Sequence, residues 1–538
     1  MVQKALLLLS PRPLLLVLVS MSLPSYVRLF LGLSLTLVLL LGCGCRDDRQ
    51  RNPDELVFVL GTNPKNLDPR FAQDAFSDKI TRLIFSPLLE RRPDGSVRGH
   101  LAESFEQRDE TTYIVRLRRN ARFHDGSPVT AADVAGTYRS ILDPNLKTVK
   151  RLFLKPIESI ETPDDHTVIF HLNEVNAPFP QVLSGIGIAP AQLLELHGRD
   201  FVDHLIGSGP FQFVSQVVDE SIVLRRNPDW FGGEVGIEML RFKIVPDATV
   251  RVLEVMHGSA DITQNDIPLH VIQRLNKQED LKVATSESSL VKYLAFNVDR
   301  PTLADVRVRQ AVALAINREP IIEYKLRNYA TLARSFLHPA SWAYEPESRS
   351  WAHDPARARA LLDEAGYPVP SDGSPRLTLV YRTSMDSTAI AVAKILKRQL
   401  AEVGIEMDLR TNEWGVFFSD IIQGNFDMYT LSGLGIIDPD WYTYVVHSDS
   451  FPPNGANRPR YHNPRIDELL NLGKITVETE ARATIYREVQ RILSEEVPLV
   501  PLWYEHNVVV SGRNVDGFEP TPHGDFSSLS RVRKTGPR

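Results

Sequence analysis

The sequence contains very little cysteine, since Cys43 and Cys45 are the only two among 538 residues. A disulfide framework needs several cysteines spread along the chain, and a cysteine-based zinc site needs pairs at defined spacings. Both are therefore excluded. The 37 prolines indicate instead a large protein with many loops.

Long blocks of basic residues are also absent. The chain has 61 Lys and Arg against 67 Asp and Glu, which gives a formal net charge of −6. Nucleic acid is not an expected partner, because clustered Lys and Arg bind phosphate backbones. With 43% hydrophobic and 24% charged residues, the composition is typical of a globular protein. The length predicts two or three domains.

Motifs of the common enzyme classes are missing. The chain has no G-x-S-x-G nucleophile turn, no H-E-x-x-H zinc helix and no P-loop. The Gly185–Gly187 and Gly433–Gly435 segments lack the third glycine of a dinucleotide-binding loop. The sequence therefore predicts a protein without enzymatic activity, cofactor or bound metal.

One triplet resembles a catalytic pair: His124, Asp125 and Gly126 lie between a strand-like and a helix-like segment. Asp-Gly is a turn signature, because glycine adopts positive φ without steric cost. The Ser-Pro that follows extends the turn toward Thr130, where a helix is expected to begin. We interpret the triplet as a turn and not as an active site.

The N-terminal segment is unusually apolar. Residues 1–42 contain no acidic residue and two apolar runs, the second of which ends just before Cys43. This pattern predicts a signal peptide, with Met21 as an alternative start because one run suffices. The four residues ending at Cys43 resemble a bacterial lipobox, which predicts a lipidated Cys43 and a polar tether over residues 43–54. The alternative is one or two retained membrane-spanning helices, for which the second run is short.

The rest of the chain mixes strand and helix signals. Residues 56–61 are typical of a buried strand and residues 111–118 of an amphipathic one. Thr130, with Asp133 three residues later, predicts a capped helix. Further helices are predicted after Asp305, Asp354-Pro355 and Asn463-Pro464, and over residues 388–403 and 480–496. Such intermixing predicts α/β layers in more than one domain.

Several longer segments occur together and in a fixed order. They include LDPRFAQD from Leu67, YIVRLRRNARFHDGSPVTAADVAGTYRSI from Tyr113, IGSGPFQF from Ile206, LRRNPDWFGG from Leu224, YLAFNVDRPTLADVRVRQAVALAINRE from Tyr293, DPDWY from Asp438 and VPLVPLWYE from Val497. In these segments, which span roughly residues 55–510, the chain resembles the family 5 extracellular solute-binding proteins. These are the dipeptide- and oligopeptide-binding components of ABC importers.

The resemblance implies a periplasmic-binding-protein-like α/β fold with two lobes, a hinge and three regions. The first lobe would be discontinuous and would comprise residues 55–77, 201–296 and 500–528. An additional domain would occupy residues 78–200, and the second lobe residues 297–499. The ligand would bind in the cleft, and the lobes would close over it.

The resemblance also implies ligand contacts from loops that join the lobes. The candidates are Phe296, Asn297, Arg382, Thr383, Ser384, Trp414, Gly435, Asp438, Trp441 and Tyr442. Peptide-binding members hold the ligand's α-amino group with an Asp three residues before an acidic-residue–Pro step. Gly435 occupies that position here, so a buried peptide amine lacks its counter-charge unless Asp440 or Glu413 replaces it.

Each of these candidates also has a structural interpretation. Trp414 and Trp441 are equally compatible with packing in a core. Arg382 is compatible with a ligand carboxylate or with an ion pair, and Asn297 with tying down a turn.

These observations predict a monomeric, lipid-anchored solute-binding protein in the periplasm or at the cell surface. It would deliver a peptide or peptide-like solute to an ABC permease and its ATPase. The alternatives are an oligosaccharide or a metal chelate as the ligand, because fold alone does not fix the ligand. A cell-surface hydrolase and a sensor without a transporter are further alternatives.

Overall fold

A computed structural model describes residues 54–92, 94–265, 267–433 and 438–536. They belong to one compact unit, Pro53–Arg538. The predicted signal peptide, Cys43, almost all of the tether and Gly435 lie outside the described residues. Within the described ranges, every helix is too short or too polar to cross a membrane.

The strands of the described chain form one large sheet and several small ones. Their bounds are β1 (Glu55–Leu60), β2 (Leu89–Arg91), β3 (Val97–Gly99), β4 (Ala102–Gln107), β5 (Thr112–Leu117), β6 (Ile157–Asp164), β7 (Thr167–Leu172), β8 (Phe211–Val217), β9 (Ser221–Arg226), β10 (Met239–Ile244), β11 (Ile262–Gln264), β12 (Leu281–Phe296), β13 (Ala330–Leu332), β14 (Leu377–Ser384), β15 (Ile405–Asn412), β16 (Met428–Gly433), β17 (Leu499–Gly512), β18 (Val515–Asp516) and β19 (Arg533–Lys534). The large sheet has 11 strands in the order β15-β14-β16-β12-β17-β11-β1-β10-β9-β8, and β13 pairs with β17.

Strands β12 and β17 lie next to each other in the middle of the large sheet and join its two sides. Over Leu281–Glu287, β12 pairs with the C-terminal part of β17, which carries β11 on its other edge. Over Val291–Phe296, β12 pairs with the N-terminal part of β17 and, on its other edge, with β16. The register shifts between Glu287 and Val291. We call β11, β1, β10, β9 and β8 the β1 half of the sheet, and β16, β14 and β15 the β14 half.

Each half of the large sheet carries a hydrophobic core on both faces. In β1, Leu56 and Phe58 are buried in one core, whereas Val57 and Val59 are buried in another. The same alternation occurs in the β14 half. Strands covered on both faces consist of nearly continuous apolar residues, as the buried VFVL run of β1 does.

Helices cover both faces of the sheet and supply most of the remaining core. Their bounds are α1 (Ala75–Ile84), α2 (Ala131–Leu142), α3 (Arg151–Leu154), α4 (Phe179–Leu183), α5 (Ala191–His197), α6 (Ala248–Met256), α7 (Leu269–Leu275), α8 (Pro301–Ala304), α9 (Val306–Ala315), α10 (Arg318–Pro320), α11 (Pro355–Glu364), α12 (Ser387–Ala401), α13 (Trp414–Gln423), α14 (Trp441–Val446), α15 (Pro464–Ile475) and α16 (Thr479–Glu496). Single 3₁₀ turns lie at Gly198–Asp203, Ser448–Ser450 and Ser527–Arg531, and a π turn at Ile321–Lys325.

A separate antiparallel sheet, which we call the small sheet, has the order β4-β5-β7-β6. Tyr113, Val115 and Leu117 point to one face of β5, where they share a core with Val134 and Tyr138 of α2. Period-2 alternation on the strand thus meets the apolar stripe of an amphipathic helix. The strand, the helix and their apolar faces were all predicted from the sequence and are confirmed.

The predicted helix starts also agree with the structure. The capping box of Thr130 and Asp133 is present at the start of α2. Asp305, Asp354 and Asn463 cap α9, α11 and α15 through their side chains. Each side chain accepts a backbone N–H group that the first turn of a helix leaves without a partner.

The turn at His124 is a structural tie. The Asp125 carboxylate accepts the Ser127 N–H group at 2.9 Å, and Gly126 has a φ of 87°. His124 Nδ1 accepts the Gly207 N–H group at 3.2 Å, and its Nε2 lies 3.1 Å from the Gly209 carbonyl oxygen. Burial lowers the pKa of His124 to about 4. This neutral ring joins the small sheet to the loop before β8, so the predicted turn is confirmed.

Candidate functional site

A cavity is lined by α1, the β2–β3 hairpin, the loops that carry Trp230 and His523, and Leu290 of β12, and we call it the junction cavity. It has two parts, of about 400 Å³ and 510 Å³. The two parts share the lining residues Arg82, Glu90, Arg91, His100, His523, Asp525 and Ser527. Leu290, which lies in the register-shifted segment of β12, lines the smaller part. The cavity is therefore adjacent to the point where β12 passes from one half of the sheet to the other.

Two arginines of the junction cavity are anchored by one serine. Arg82, in the last turn of α1, pairs with Asp78 at 2.8 Å and donates to the Ser184 carbonyl oxygen at 3.0 Å. Arg91, at the end of β2, donates its Nε–H group to Ser184 Oγ at 2.9 Å. Ser184 therefore holds both guanidinium groups at the same corner of the cavity.

Positive charge predominates at this corner. The pKa of Arg91 is lowered to about 9, because burial disfavours its charge and Arg82 repels it. Burial alone would raise the pKa of Asp78, but attraction by Arg82, Arg91 and Lys150 outweighs it and lowers that pKa to about 2. Burial likewise lowers the pKa of Lys150, to about 8. Asp78 therefore stays ionised among several cations.

Two histidines of the cavity wall are neutral near pH 7. Burial lowers the pKa of His100 to about 4, and burial also lowers the pKa of His523. His523 Nδ1 lies 3.2 Å from the Ser289 hydroxyl of β12. Arg118 donates its Nε–H group to the carbonyl oxygen of His100 at 2.6 Å. Fixed positive charge in the cavity therefore comes from Arg and Lys side chains and not from imidazolium.

A glycine shapes the loop that carries His523. Gly524 has a φ of 62°, and a Cβ atom there would lie 2.8 Å from Asn507 Oδ1. The Asn507 side chain donates to the Thr521 carbonyl oxygen at 2.8 Å. The glycine lets this loop approach β17 closely, which brings His523 to the junction cavity.

A second candidate surface is formed by the ends of three strands, and we call it the carboxyl edge. Strands β14, β15 and β16 are parallel and end at Ser384, Asn412 and Gly433. Gly433 pairs with Val291, directly after the segment of β12 that lines the junction cavity. Ligands of open α/β sheets bind outside the carboxyl ends of the strands. The carboxyl edge and the junction cavity are neighbours along β12.

Three sequence-predicted contacts lie at the carboxyl edge, on β14 and α13. Thr383 is buried and Ser384 is half-buried, and Ser384 Oγ accepts the Asp386 N–H group at 3.3 Å. Trp414 is the first residue of α13, is 54% exposed and stacks on Phe418 with ring centroids 5.7 Å apart. The Trp414 ring is the most accessible of the predicted contacts at this edge for stacking on a ligand.

Three further predicted contacts follow β16 along the chain and lie at the start of α14 or just before it. Asp438 accepts two hydrogen bonds from Arg482, at 2.6 and 2.8 Å. Trp441 stacks on Phe336 with centroids 5.4 Å apart, and Tyr442 is fully buried. Asp438 and Trp441 are half-buried, whereas Tyr442 belongs to the core.

Asp440, one of the two acids proposed as substitutes for an Asp at position 435, belongs to a hydrogen-bonded cluster. Its Oδ1 atom accepts the hydroxyl groups of Thr443 at 2.8 Å and Tyr486 at 3.1 Å. Burial and the nearby Asp438 raise the pKa of Asp440 to about 6. Two carboxylates therefore share one buried arginine, Arg482.

Glu413, the other proposed substitute, caps the helix that follows it. Its side chain is exposed and accepts the Gly415 N–H group at 2.7 Å, which caps α13. Gly435 itself lies outside the described residues.

Of the remaining predicted contacts, Phe296 and Asn297 lie at the opposite end of the β14 half, where Phe296 pairs with the first residue of β16. Phe296 is fully buried. Asn297 donates to two carbonyl oxygens of the loop before β16, at 3.0 and 3.2 Å. Arg382 pairs with Asp420 at 2.6 Å and also donates to a carbonyl of that loop. The structure thus separates Phe296 and Asn297 from the carboxyl edge. Arg382 directly precedes Thr383 on β14, and its guanidinium group also donates to Asn412 Oδ1 at the end of β15, at 3.3 Å.

The cavity-lining residues Arg91, His100 and His523 were not among the sequence-predicted contacts. Arg91 and His100 lie inside a segment, LIFSPLLERRPDGSVRGHLAESFE, that also matches the family pattern. Their clustering depends on Ser184 and on the C-terminal loop, which are far from them in sequence. An Arg-Arg pair directly before Pro-Asp-Gly was the available signal.

The described residues offer no obvious place for a metal ion. Within the described ranges there is no cluster of three or more His, Cys, Asp or Glu residues suited to metal binding. The polar groups of the junction cavity and the carboxyl edge are instead hydrogen-bonding and charged side chains that suit an organic ligand.

This fold, with sites beside strands that run through both halves of the sheet, is that of a periplasmic-binding-protein-like ligand binder. The family model for bacterial extracellular solute-binding proteins, family 5 Middle, matches residues 96–452. The chain belongs to the bacterial extracellular solute-binding proteins of family 5. The family assignment and the α/β fold that the sequence predicted are confirmed.

Individual relatives agree with this assignment. The glutathione-binding protein GsiB of Salmonella choleraesuis (strain SC-B67) is 28% identical over 484 residues, which cover 88% of this chain and 93% of GsiB. The ABC transporter substrate binding protein CtaP of Listeria monocytogenes has a TM-score of 0.82 and 27% identity, over 89% of this chain and 99% of CtaP.

A third relative shows the fold alone. NikZ of Campylobacter jejuni, solved in complex with Ni(L-His), has a TM-score of 0.79 and 24% identity, over 90% of this chain and 100% of NikZ. GsiB and CtaP are both named as binding proteins. The prediction that the chain is not an enzyme therefore agrees with its relatives.

Proposed function

We propose that this protein captures a peptide or peptide-like solute between the junction cavity and the carboxyl edge. The observation that carries the proposal is the course of β12, whose Leu290 lines the cavity and whose Val291 pairs with the last residue of β16. A ligand at this point contacts both halves of the sheet at once. Closure of the halves on the ligand then converts binding into a change of shape.

The parts that would close on the ligand correspond to the three regions that the resemblance implies. In the proposal, the β1 half is the first lobe, the small sheet belongs to the additional domain, and the β14 half is the second lobe. The register shift between Glu287 and Val291 supports a hinge in this segment of β12, because a shift in pairing locally weakens the ladder.

Delivery to an ABC permease and its ATPase is the second element of the proposal. The family model supports it, since the chain matches extracellular solute-binding proteins. A lipid on Cys43 would keep the protein at the membrane, because two or more acyl chains give stable anchoring. Mass spectrometry of the mature N-terminus tests this element, and Cys43→Ser abolishes the acyl mass if the proposal is correct.

Solute capture is tested by thermal unfolding with matched ligand pools. One pool holds short peptides with free amino termini, the other the same peptides acetylated, and glutathione is added as a separate probe because GsiB is named for it. A ligand at 100 times its Kd raises the unfolding free energy by about 2.7 kcal/mol.

The pools separate the possible outcomes. Stabilisation by the free-amine pool alone shows that an acid replaces the missing Asp at position 435. Stabilisation by both pools shows that peptides bind without an amine anchor. No shift with either pool or with glutathione contradicts peptide capture and favours a sugar or a metal chelate.

A further inference from the structure

We propose that the junction cavity recognises an anionic group of the ligand, a carboxylate or a phosphate, through the guanidinium groups of Arg91 and Arg118. The inference rests on the proposed function and names the charge class of the solute. It concerns a corner of the site that the sequence-predicted contacts did not include.

The charges that line the junction cavity do not cancel. The described lining residues include the cations Lys79, Arg82, Arg91, Arg98, Arg118 and Arg531, and the anions Asp78, Glu90, Glu234 and Asp525. Asp78 is engaged by Arg82, and Glu90 by Arg98 at 2.5 Å. Among the described residues, neither Arg91 nor Arg118 has a carboxylate within ion-pair distance.

The hydrogen bonds of these two arginines leave their ends available. Each uses its Nε–H group for a protein acceptor, Ser184 Oγ for Arg91 and the His100 carbonyl oxygen for Arg118. Their terminal Nη atoms make no hydrogen bond to any described residue. A guanidinium binds carboxylate or phosphate oxygens in a fork geometry. Anchoring through Nε fixes each side chain and leaves the terminal N–H groups for a ligand.

The surroundings favour an anion over water at this corner. Burial and the repulsion by Arg82 lower the pKa of Arg91 and outweigh the attraction by Asp78 and Asp525. The His100 ring packs on Phe231 with centroids 5.2 Å apart, and the Arg118 guanidinium lies 5.9 Å from the same ring. Phe231 thereby limits the water around Arg118, which strengthens an ion pair formed there.

Simple anions test this directly and without knowledge of the natural ligand. The probes are succinate, inorganic phosphate and, as the uncharged analogue of succinate, succinamide, all at equal ionic strength. The protein is the chain without the N-terminal apolar segment, because Pro53–Arg538 forms a compact unit. Wild type is compared with Arg91→Gln, Arg118→Gln and the neighbouring exposed control Arg119→Gln, by thermal unfolding and by calorimetric titration.

We expect succinate or phosphate, but not succinamide, to raise the unfolding midpoint of wild type and of Arg119→Gln. The affinity for the anion should fall about tenfold or more in Arg91→Gln and in Arg118→Gln, because a charge-assisted hydrogen bond is lost. Arg91→Lys retains the charge without the fork and should be intermediate. This variant keeps the test valid if Arg91→Gln does not fold. Succinate favours a carboxylate ligand, and phosphate a phosphorylated one.

Several results would overturn the inference. An equal response to succinate and succinamide, or an unchanged anion affinity in both glutamine variants, shows that these arginines only support the fold. The two proposals fail separately. Peptides that bind all variants equally leave solute capture intact and remove the anion site. Anion binding that depends on Arg91, with no response to any peptide, retains the anion site and removes peptide capture.

Discussion

Two half-buried carboxylates, one beside the junction cavity and one beside the carboxyl edge, respond in opposite ways to their surroundings. Asp78 lies among Arg82, Arg91 and Lys150, and its pKa is lowered to about 2. Asp440 lies beside Asp438, and its pKa is raised to about 6 by burial and by that neighbour. Burial is common to both sites, so the sign of the pKa shift is decided by the neighbouring charges.

In our proposal, this difference in charge between the two sites sets the orientation of a charged ligand. The junction cavity has more cations than anions, whereas the carboxyl edge has two carboxylates and one arginine. An anionic group of a solute should therefore lie at the cavity, and an ammonium group near Asp440. In our proposal a zwitterionic, peptide-like solute satisfies both ends. Three stability measurements test the two ends separately, and a fourth tests an exposed ion pair.

The largest effect is expected from Arg482 at the carboxyl edge. Arg482→Met leaves Asp438 and Asp440 without a counter-charge, which should lower the free energy of unfolding by about 3–5 kcal/mol. Arg487→Met on the same helix is the control, because Arg487 pairs with the exposed Glu480. Urea unfolding at pH 7 measures both variants. An equal loss in the two variants would show that the buried pair has no special role.

Asp440 should show the second largest effect, with the opposite sign. The folded state raises its pKa from 3.8 to about 6, so the folded protein loses stability as the pH rises through this window. Asp440→Asn removes the carboxylate and should be about 2 kcal/mol more stable than wild type at pH 7. At pH 4 the two proteins should be equally stable. A gain that is the same at both pH values would contradict the shift.

Asp78 should show a smaller effect with the reverse pH dependence. Its lowered pKa stabilises the fold above pH 3.8, and this contribution is lost as the pH falls toward 2. Because the side chain is 39% exposed, solvent screens the interaction, and Asp78→Asn should cost about 1 kcal/mol at pH 7. Unfolding of the variant and wild type at pH 7 and pH 3 tests this, and the difference should shrink at pH 3.

The smallest effect is expected for an exposed ion pair between α15 and the segment that follows β7. Lys474 of α15 pairs with Glu174 after β7 at 2.8 Å, and the Ala177 N–H group donates to the Lys474 carbonyl oxygen at 2.9 Å. Lys474→Glu should change the unfolding free energy by less than about 1 kcal/mol, as for other exposed pairs. Glu174→Lys in the same chain should restore it. If Glu174→Lys does not restore the stability lost in Lys474→Glu, the ion pair does not contribute and only the backbone hydrogen bond from Ala177 joins the two segments.

Local elements were predictable from the sequence because their signals are local. The helix caps at Thr130, Asp305 and Asn463 depend on residues within one turn, and β1 on a continuous apolar run. Trp414 and Asp438 became candidates for ligand contact through the family resemblance and not through a local signal.

The rest depended on contacts between distant segments. Arg91 became a candidate only through Ser184, 93 residues away, and His523 through Ser289, 234 residues away. Phe296 and Asn297 adjoin the predicted boundary between lobes, yet they lie at the end of β12 away from the carboxyl edge. The direction in which a strand runs is not encoded in its local pattern, so the two ends of β12 could not be distinguished.

Strand β17 imposes an order on the folding of this chain. It is formed by residues Leu499–Gly512, yet it lies in the middle of the large sheet and pairs with both β11 and β12. During synthesis, neither half of the sheet can be completed until nearly the whole chain has left the ribosome. Pairing over such sequence distances is slow, because loop closure precedes any gain from contacts. The large sheet should therefore stay incomplete for most of the synthesis of the chain, a state compatible with passage through a secretion channel.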